Sequence, residues 1–497
     1  MSIATHQMSQ HEAGLVQKVW NLAHVLRDSG IYYSDYLSQI TCLLFLKMDD
    51  ERATQMGEPS AIPAGFGWQE LKRKDGDELE IHYRNTLTRL ATEKGLVGTI
   101  YAKSQSKFSN PADLKRVIGM IDEETWYGLP VDVKGAIYEG LLEKNANENK
   151  SGAGQYFTPR ALIQAMVEVV SPKVGETICD PACGTGGFLL AAYEHMKSGA
   201  TNRDNAKFLR EKTFFGNDIS GEVLRLCTMN LYLHGIGNGE PPVVEKDALA
   251  SPPAVNHDIV LANPPFGKKS SIRILGEDNE VETQQHVYER DDFRYTTSNK
   301  QLNFLQHIFS QLKMNGRAAV VLPDNVLFEA GGAAGGIRRR MLQEFDFHTL
   351  LRLPTGIFYK QGVKANVLFF DKKPPRDSAK ETNTKELWIY DFRTNHHFTL
   401  VENPLKRSDL DDFVACYASG ERHKRAETER FKRFTVADLM ARDKVNLDIF
   451  WLKDDSLEDA ENLPAPELIA ADIVENLEAA LEQFRAVAEE LRGKAGE

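Results

Sequence analysis

Thr177-Ile-Cys-Asp-Pro-Ala-Cys-Gly-Thr-Gly-Gly-Phe188 is the stretch that decides the fold of this chain. Its first residues form a short apolar run that reads as a strand, Asp180-Pro181 ends the run, and Gly184, Gly186 and Gly187 make a turn that opens a helix at Phe188. A Gly-rich turn in that place lets the backbone approach a nucleotide-like ligand. It is not a phosphate loop, because no Lys-Ser or Lys-Thr follows and the full dinucleotide spacing is missing. Outward from it, short apolar runs alternate with helical stretches: Thr213 to Asn217, Val243-Val244, Asp258 to Ala262, Arg317 to Leu322, Thr349 to Leu353 and Val367 to Phe370. That alternation predicts a doubly wound α/β sheet. Ligands in such sheets lie beyond the carboxyl ends of the strands, so the chemistry is sought just after each run. Asp218 ends the second run, Asp247 the third, and the fourth delivers Asn263-Pro-Pro-Phe266.

The flanks differ in kind. Residues 10 to about 150 read as helical, with Leu15, Val19, Leu22 and Leu26 at helical spacing and a second stripe of Ile40, Leu43, Leu44 and Leu46 behind Ser34-Asp35 as a cap. Val131 to Leu142 is a further amphipathic helix, and the polar, Gly-rich stretch from Glu143 to Gly154 marks a domain boundary. Lys268 to Lys300 is long and charged, which reads either as a mobile loop near the site, the favoured expectation, or as simple disorder. Past residue 375 come a strand-like run, Leu387 to Phe392, and a cluster of His423, Lys424, Arg425, Arg430, Lys432 and Arg433. The last element is a helix in which Ile469, Ile473, Leu477, Ala480, Phe484, Val487 and Leu491 share one face behind Pro464-Ala-Pro466. It packs either on its own domain or on a partner. The organisation expected is a helical domain over 1–150, a catalytic domain over 151–375, an extension with the basic cluster over 376–463, and a docking helix over 464–497.

Composition narrows the class. With 497 residues the chain holds about three domains, each able to bury a core without staples. Sixty Lys and Arg against 72 Asp and Glu give a net charge of -12, which argues against wrapping nucleic acid by bulk electrostatics, so any DNA contact is local or delegated. Five cysteines without paired zinc spacing point to a reducing compartment. The first dozen residues lack a basic start and apolar run, and no stretch approaches the roughly 18 apolar residues of a membrane span. A cytoplasmic protein with no membrane partner is expected.

Asn263-Pro-Pro-Phe266 carries the sharpest chemical signal. Two prolines stiffen the backbone so that an amide side chain and a carbonyl can converge on one point, with an aromatic ring held nearby. Together with the Gly turn, this resembles the S-adenosylmethionine-dependent amino-methyltransferases, in which such a tetrapeptide accompanies methylation of adenine N6. The resemblance implies a Rossmann-like methyltransferase sheet. The exocyclic nitrogen of adenine has its lone pair delocalised into the ring, so acceptors at the Asn263 side chain and the Pro264 carbonyl would favour a pyramidal nitrogen aimed at the methyl group, with Pro265 stiffening the turn and Phe266 stacking on a base that has left the duplex. Alignment of donor and acceptor then supplies much of the acceleration.

The resemblance extends further. Gly154-Gln-Tyr-Phe-Thr-Pro-Arg160 looks like the first cofactor-binding motif of the class that keeps this order, which assigns Gln155, Tyr156, Phe157 and Thr158 to the methionine end of S-adenosyl-L-methionine, although Thr158-Pro159 is also an ordinary helix start. By the same carry-over Asp180 faces the methionine ammonium, and Ala182, Gly184, Thr185, Gly186, Gly187 and Phe188 form the cofactor turn. Asp218 and Ile219 take the ribose and its surroundings, Asp247 the adenine amine, and Asn263 borders donor and target. No metal is implied. Over nearly its whole length the chain resembles the modification (M) subunit of a type I restriction-modification system. That family implies a separate specificity (S) subunit, with two M chains to one S, a restriction (R) subunit in the full complex, and double-stranded DNA as substrate. About 125 residues follow the run at Val367 to Phe370, too few for a base-reading domain of usual size. A protein glutamine-N5 methyltransferase, which uses a similar motif on an amide, and a non-catalytic assembly module are the alternatives.

Overall fold

The apolar runs pair because their alternate residues bury on opposite faces of one sheet. The computed structural model describes residues 31–127 (apart from 32 and 58), 158–237, 240–266, 287–358, 362–376, 381–400 and 402–452, with the strands at 271–275 and 281–285 and isolated positions at 18, 21–22, 25–26 and 474. In chain order the strands are β1 (Ile178–Asp180), β2 (Phe214–Asp218), β3 (Val243–Glu245), β4 (His257–Ala262), β5 (Ser271–Leu275), β6 (Val281–Gln285), β7 (Leu312–Pro323), β8 (Phe345–Arg352), β9 (Ala365–Lys372), β10 (Glu386–Asp391) and β11 (Phe431–Thr435). Nine of them form one sheet in the order β11-β10-β8-β9-β7-β4-β1-β2-β3. From β3 through β7 the pairing is parallel. The sheet is nevertheless mixed, since β9 runs antiparallel between β7 and β8, and β11 antiparallel to β10.

Period-2 alternation builds two cores. Ile259, Leu261, Ala319, Val321, Val367 and Phe369 pack on one face with the helices Arg160–Val170 and Gly187–Met196. Val260, Ala262, Ala318, Val320, Leu368 and Phe370 pack on the other with Lys300–Gln311 and Gly332–Glu344. Each central strand is covered on both sides, which is why the parallel runs read as near-continuous hydrophobic stretches. Strand order reverses between β1 and β4, the switch point where sheets of this kind open a crevice.

The N-terminal part is helical, with Tyr33–Met56, Trp68–Arg73, Gly76–Ala91, Gly95–Tyr101 and Pro111–Asp122 around a core that includes Trp68, Tyr83, Tyr101 and Trp126. Ser34 and Asp35 fall inside the first turn of the helix that begins at Tyr33, not before it as a cap. This core continues onto the helix Gly221–Leu233 through Leu226, Met229 and Leu233, while Leu224, Cys227 and Leu231 of the same helix serve the sheet core. Among the described residues no helix is long and apolar enough to cross a membrane.

One expectation is corrected, and one cluster is placed. The segment after Asn263-Pro-Pro-Phe266 is not simply a loop: β5 and β6 form an antiparallel pair, and 287–300 is held to the body by Arg290, which donates to the Ala248 and Leu249 carbonyls, and by Tyr295, bonded in both directions to Gln306. The basic cluster is a folded edge. Arg430 and Arg425 donate to backbone carbonyls of Asp391, Thr394, Tyr417 and His348, and Lys424, Lys432 and Arg433 meet Glu421, Glu427 and Glu386. Val131 to Leu142, Gln155 to Phe157 and, apart from Val474, the helix from Ile469 to Leu491 lie outside the described residues.

Candidate active site

The switch point brings two motifs onto adjacent strands. β1 and β4 pair with Cys179 opposite Val260, so Asp180 and Asn263 both leave the carboxyl edge of the sheet there. Asp180 ends β1 with only 1% of its surface exposed and accepts from the Ala182 backbone N–H at 3.0 Å. Burial, reinforced by the nearby Asp218 carboxylate, pushes its carboxyl up to about 8. The turn behind it depends on glycine at Gly184 (φ 53°) and Gly186 (φ 86°), and a Cβ on Gly186 would stand 2.9 Å from Cys227 Sγ. Gly186 caps the helix Gly187–Met196.

Asp218, at the end of β2, closes this turn from the side. Its carboxylate accepts from Gly184 N at 3.1 Å and Ser220 N at 2.9 Å, and its acidity is weakened by burial. Each oxygen keeps lone-pair capacity for a hydroxyl. Ile219 beside it is 72% exposed, an apolar side chain at the open rim. Ala182 packs against the small cluster of Ala248, Leu249 and Phe304. Thr185 is buried, and its carbonyl accepts from Asn230. Phe188 is a core residue at 3% exposure.

Pro264 and Phe266 are buried and Asn263 and Pro265 partly so. The Phe266 ring meets Phe358 edge-on at 5.8 Å between centroids and belongs to the sheet core. Phe266 is therefore an interior wall, a duty the tetrapeptide did not reveal. Asn263 Nδ2 donates to Thr158 Oγ1 at 2.8 Å. The helix-start alternative for Thr158 is not what its side chain does, since the helix Arg160–Val170 has no side-chain cap and the Thr158 hydroxyl accepts from Asn263.

The family model described as "N-6 DNA Methylase" matches residues 130–451, and that of the HsdM N-terminal domain matches residues 15–121. The chain belongs to the N-6 DNA methylase family. Within it the methylase falls among type I methylase subunits. It is 37% identical to the StySPI methylase subunit of Salmonella potsdam, over 96% of this chain and 95% of that one. It is 36% identical to the EcoKI methylase subunit of Escherichia coli K12, with the same coverage. The structure of a modification subunit of a putative type I restriction enzyme from Vibrio vulnificus YJ016 superposes with a TM-score of 0.71 at 25% identity, over 88% of this chain and 94% of that one. The methylase is thus an adenine-specific DNA methyltransferase by family, which fits better than the glutamine-amide reading or an idle module.

One contact at the methylase site had no sequence signal at the spacing used to read it. The Tyr288 hydroxyl donates to Asp247 Oδ2 at 3.1 Å, and Leu249 N donates to Oδ1 at 2.9 Å. Tyr288 lies in the charged segment after the Asn-Pro-Pro-Phe motif and packs near Ala182. The aromatic residues Tyr288, Phe293 and Tyr295 among those charges were the available hint that the segment folds.

Proposed function

We propose that the methylase transfers the methyl group of S-adenosylmethionine to N6 of an adenine flipped out of double-stranded DNA, with sequence choice delegated to a separate specificity subunit. The observation that carries this is the placement of Asn263-Pro-Pro-Phe266 beside the Asp180 turn at the strand-order reversal.

The donor set suits the cofactor. A buried carboxyl at Asp180 is costly as an isolated anion, and an ammonium beside it relieves that cost. Asp218 has free acceptor capacity for ribose hydroxyls, Ile219 offers an apolar face, and Asp247 is held by Tyr288 and Leu249 where an adenine amine could donate. When bound, the cofactor supplies a sulfonium methyl that is already activated for transfer. The chain's own task is to hold the target amine in line: the Asn263 side chain and the Pro264 carbonyl accept its hydrogens, and no strong base is called for because the product ammonium is acidic. Gln155, Tyr156 and Phe157 join the methionine end in this reading, and Phe266 with its neighbours bounds the base.

The assembly proposed has two methylase chains on one specificity subunit, joined by a restriction subunit in the full complex, with the segment 464–497 docking on the specificity subunit. Support comes from the relatives, which are methylase subunits of type I restriction enzymes, and from the charge balance of -12, which leaves base reading to a partner. Asn263→Ala tests the chemical core: methyl transfer should fall by about a hundredfold or more, while cofactor affinity measured by calorimetry stays within about twofold. An equal loss of cofactor binding would contradict the role given to Asn263.

A further inference from the structure

An ionised carboxylate only accepts hydrogen bonds, and it turns freely about its last side-chain bond unless both oxygens are held. Asp247, half-buried after β3, has both held: Leu249 N donates to Oδ1 at 2.9 Å, and the Tyr288 hydroxyl donates to Oδ2 at 3.1 Å. These two bonds leave a lone pair open on each oxygen. The segment that delivers Tyr288 is itself tied to the Asp247 loop. Arg290, with 3% of its side chain exposed, donates to the Ala248 and Leu249 carbonyls at 3.2 and 3.3 Å and clasps Asp292 with two further bonds. It also donates to His307 Nδ1 at 3.1 Å on the helix Lys300–Gln311, where burial pushes the imidazole down to about 3 and keeps it a neutral acceptor. Tyr288 and Ala182 of the Gly-rich turn pack on one apolar cluster, Ala248, Leu249 and Phe304.

We infer that Tyr288 is a positioning residue that sets the base selectivity of the cofactor pocket, its hydroxyl fixing the Asp247 carboxylate so that the pocket takes a 6-amino purine and rejects a 6-oxo purine. The inference rests on the assignment of Asp247 to the cofactor's adenine amine and goes beyond it by giving the selectivity to a residue outside the cofactor motifs. A 6-oxo purine sets an acceptor against the carboxylate, and a site built to receive an amine rejects the analogue that lacks it. A carboxylate held at one oxygen only can turn to the neighbouring ring N–H of the 6-oxo purine, whereas one held at both cannot. Selectivity therefore depends on the second bond, the one from Tyr288.

The test is calorimetric titration of the full-length chain with S-adenosylhomocysteine and with S-inosylhomocysteine, its 6-oxo counterpart, for wild type, Tyr288→Phe, Asp247→Ala and the double variant. Wild type should favour the 6-amino ligand by about tenfold or more. Tyr288→Phe, which keeps the ring and its packing, should lower that ratio by about fivefold. In the Asp247→Ala background the same change should leave the ratio within about twofold, because the hydroxyl acts through Asp247. Equal weakening of both ligands by Tyr288→Phe would overturn the inference and make the hydroxyl a fold contact, as would tighter binding of S-adenosylhomocysteine, which would show it competing for the carboxylate. An undiminished effect in the Asp247→Ala background would overturn it by placing the hydroxyl directly on the purine. Wild type that binds both ligands equally would remove the Asp247 assignment on which the inference rests, and wild type that binds neither would remove the cofactor reading itself.

Discussion

Asp180 has its chemistry set by its surroundings. It is buried, accepts one backbone N–H, and lies near a second carboxylate, so its carboxyl is raised to about 8 by desolvation and then by Asp218. An aspartate in the unfolded chain titrates near 4, as it does in model peptides (about 3.9). The folded value is the higher one, so this group's contribution to stability is full below about pH 4 and is lost as pH rises through about 8. A bound ammonium reverses the balance by favouring the anion. Cofactor binding at pH 7 should therefore release protons, and affinity should rise with pH up to about 8. Calorimetry in two buffers of different ionisation enthalpy measures the release, and Asp180→Asn should abolish it. Binding enthalpies independent of buffer would place the cofactor's ammonium elsewhere. At this scale the sequence was legible where a motif is contiguous: Asp180, Asp218 and Asn263 each follow directly on an apolar run. Tyr288 on Asp247 and Thr158 on Asn263 were not, because those bonds join positions 41 and 105 residues apart and exist only once the sheet has formed.

The helix Gly221–Leu233 is the element that makes one body of the helical and sheet parts. One side of it enters the sheet core and the other the helical core. Its Tyr232 hydroxyl donates to Asp49 at 2.9 Å, and Asp49, fully buried, also accepts from Arg52, Ser60 and the Ala61 backbone. The Arg52 guanidinium lies 5.1 Å from the Tyr232 ring centre. Tyr232→Phe should cost about 1 kcal/mol, the net worth of one hydrogen bond. Asp49→Ala should cost about 3 kcal/mol, because it strips several buried donors of one acceptor. Urea unfolding of the two variants checks the ranking, and equal midpoints for all three chains would remove Asp49 from the junction. Element legibility followed burial. β1, β4, β7, β8, β9 and β10 are covered on both faces and announce themselves as apolar runs. β11 hid in the basic cluster because it is an edge strand that carries Lys432 and Arg433 directly after Phe431, and only Phe431, stacked on Trp388 at 4.8 Å, is fully buried there. β5 and β6 hid for a related reason, since an antiparallel pair apart from the main sheet needs no apolar run.

For the whole molecule the net charge is -12, and Lys424, Lys432 and Arg433 at the sheet edge are each paired with a glutamate. In the function proposed for it, the chain methylates DNA by holding a cofactor and a target adenine side by side, with a partner choosing the sequence. Long-read sequencing that detects modified bases, applied to DNA from cells with the wild-type chain, without it, and with Asn263→Ala, tests this most directly. The account predicts N6-methyladenine at one defined sequence in the wild-type cells and its absence from the other two. Identical adenine modification in all three, or methyl groups appearing on protein glutamine in place of DNA, would contradict it.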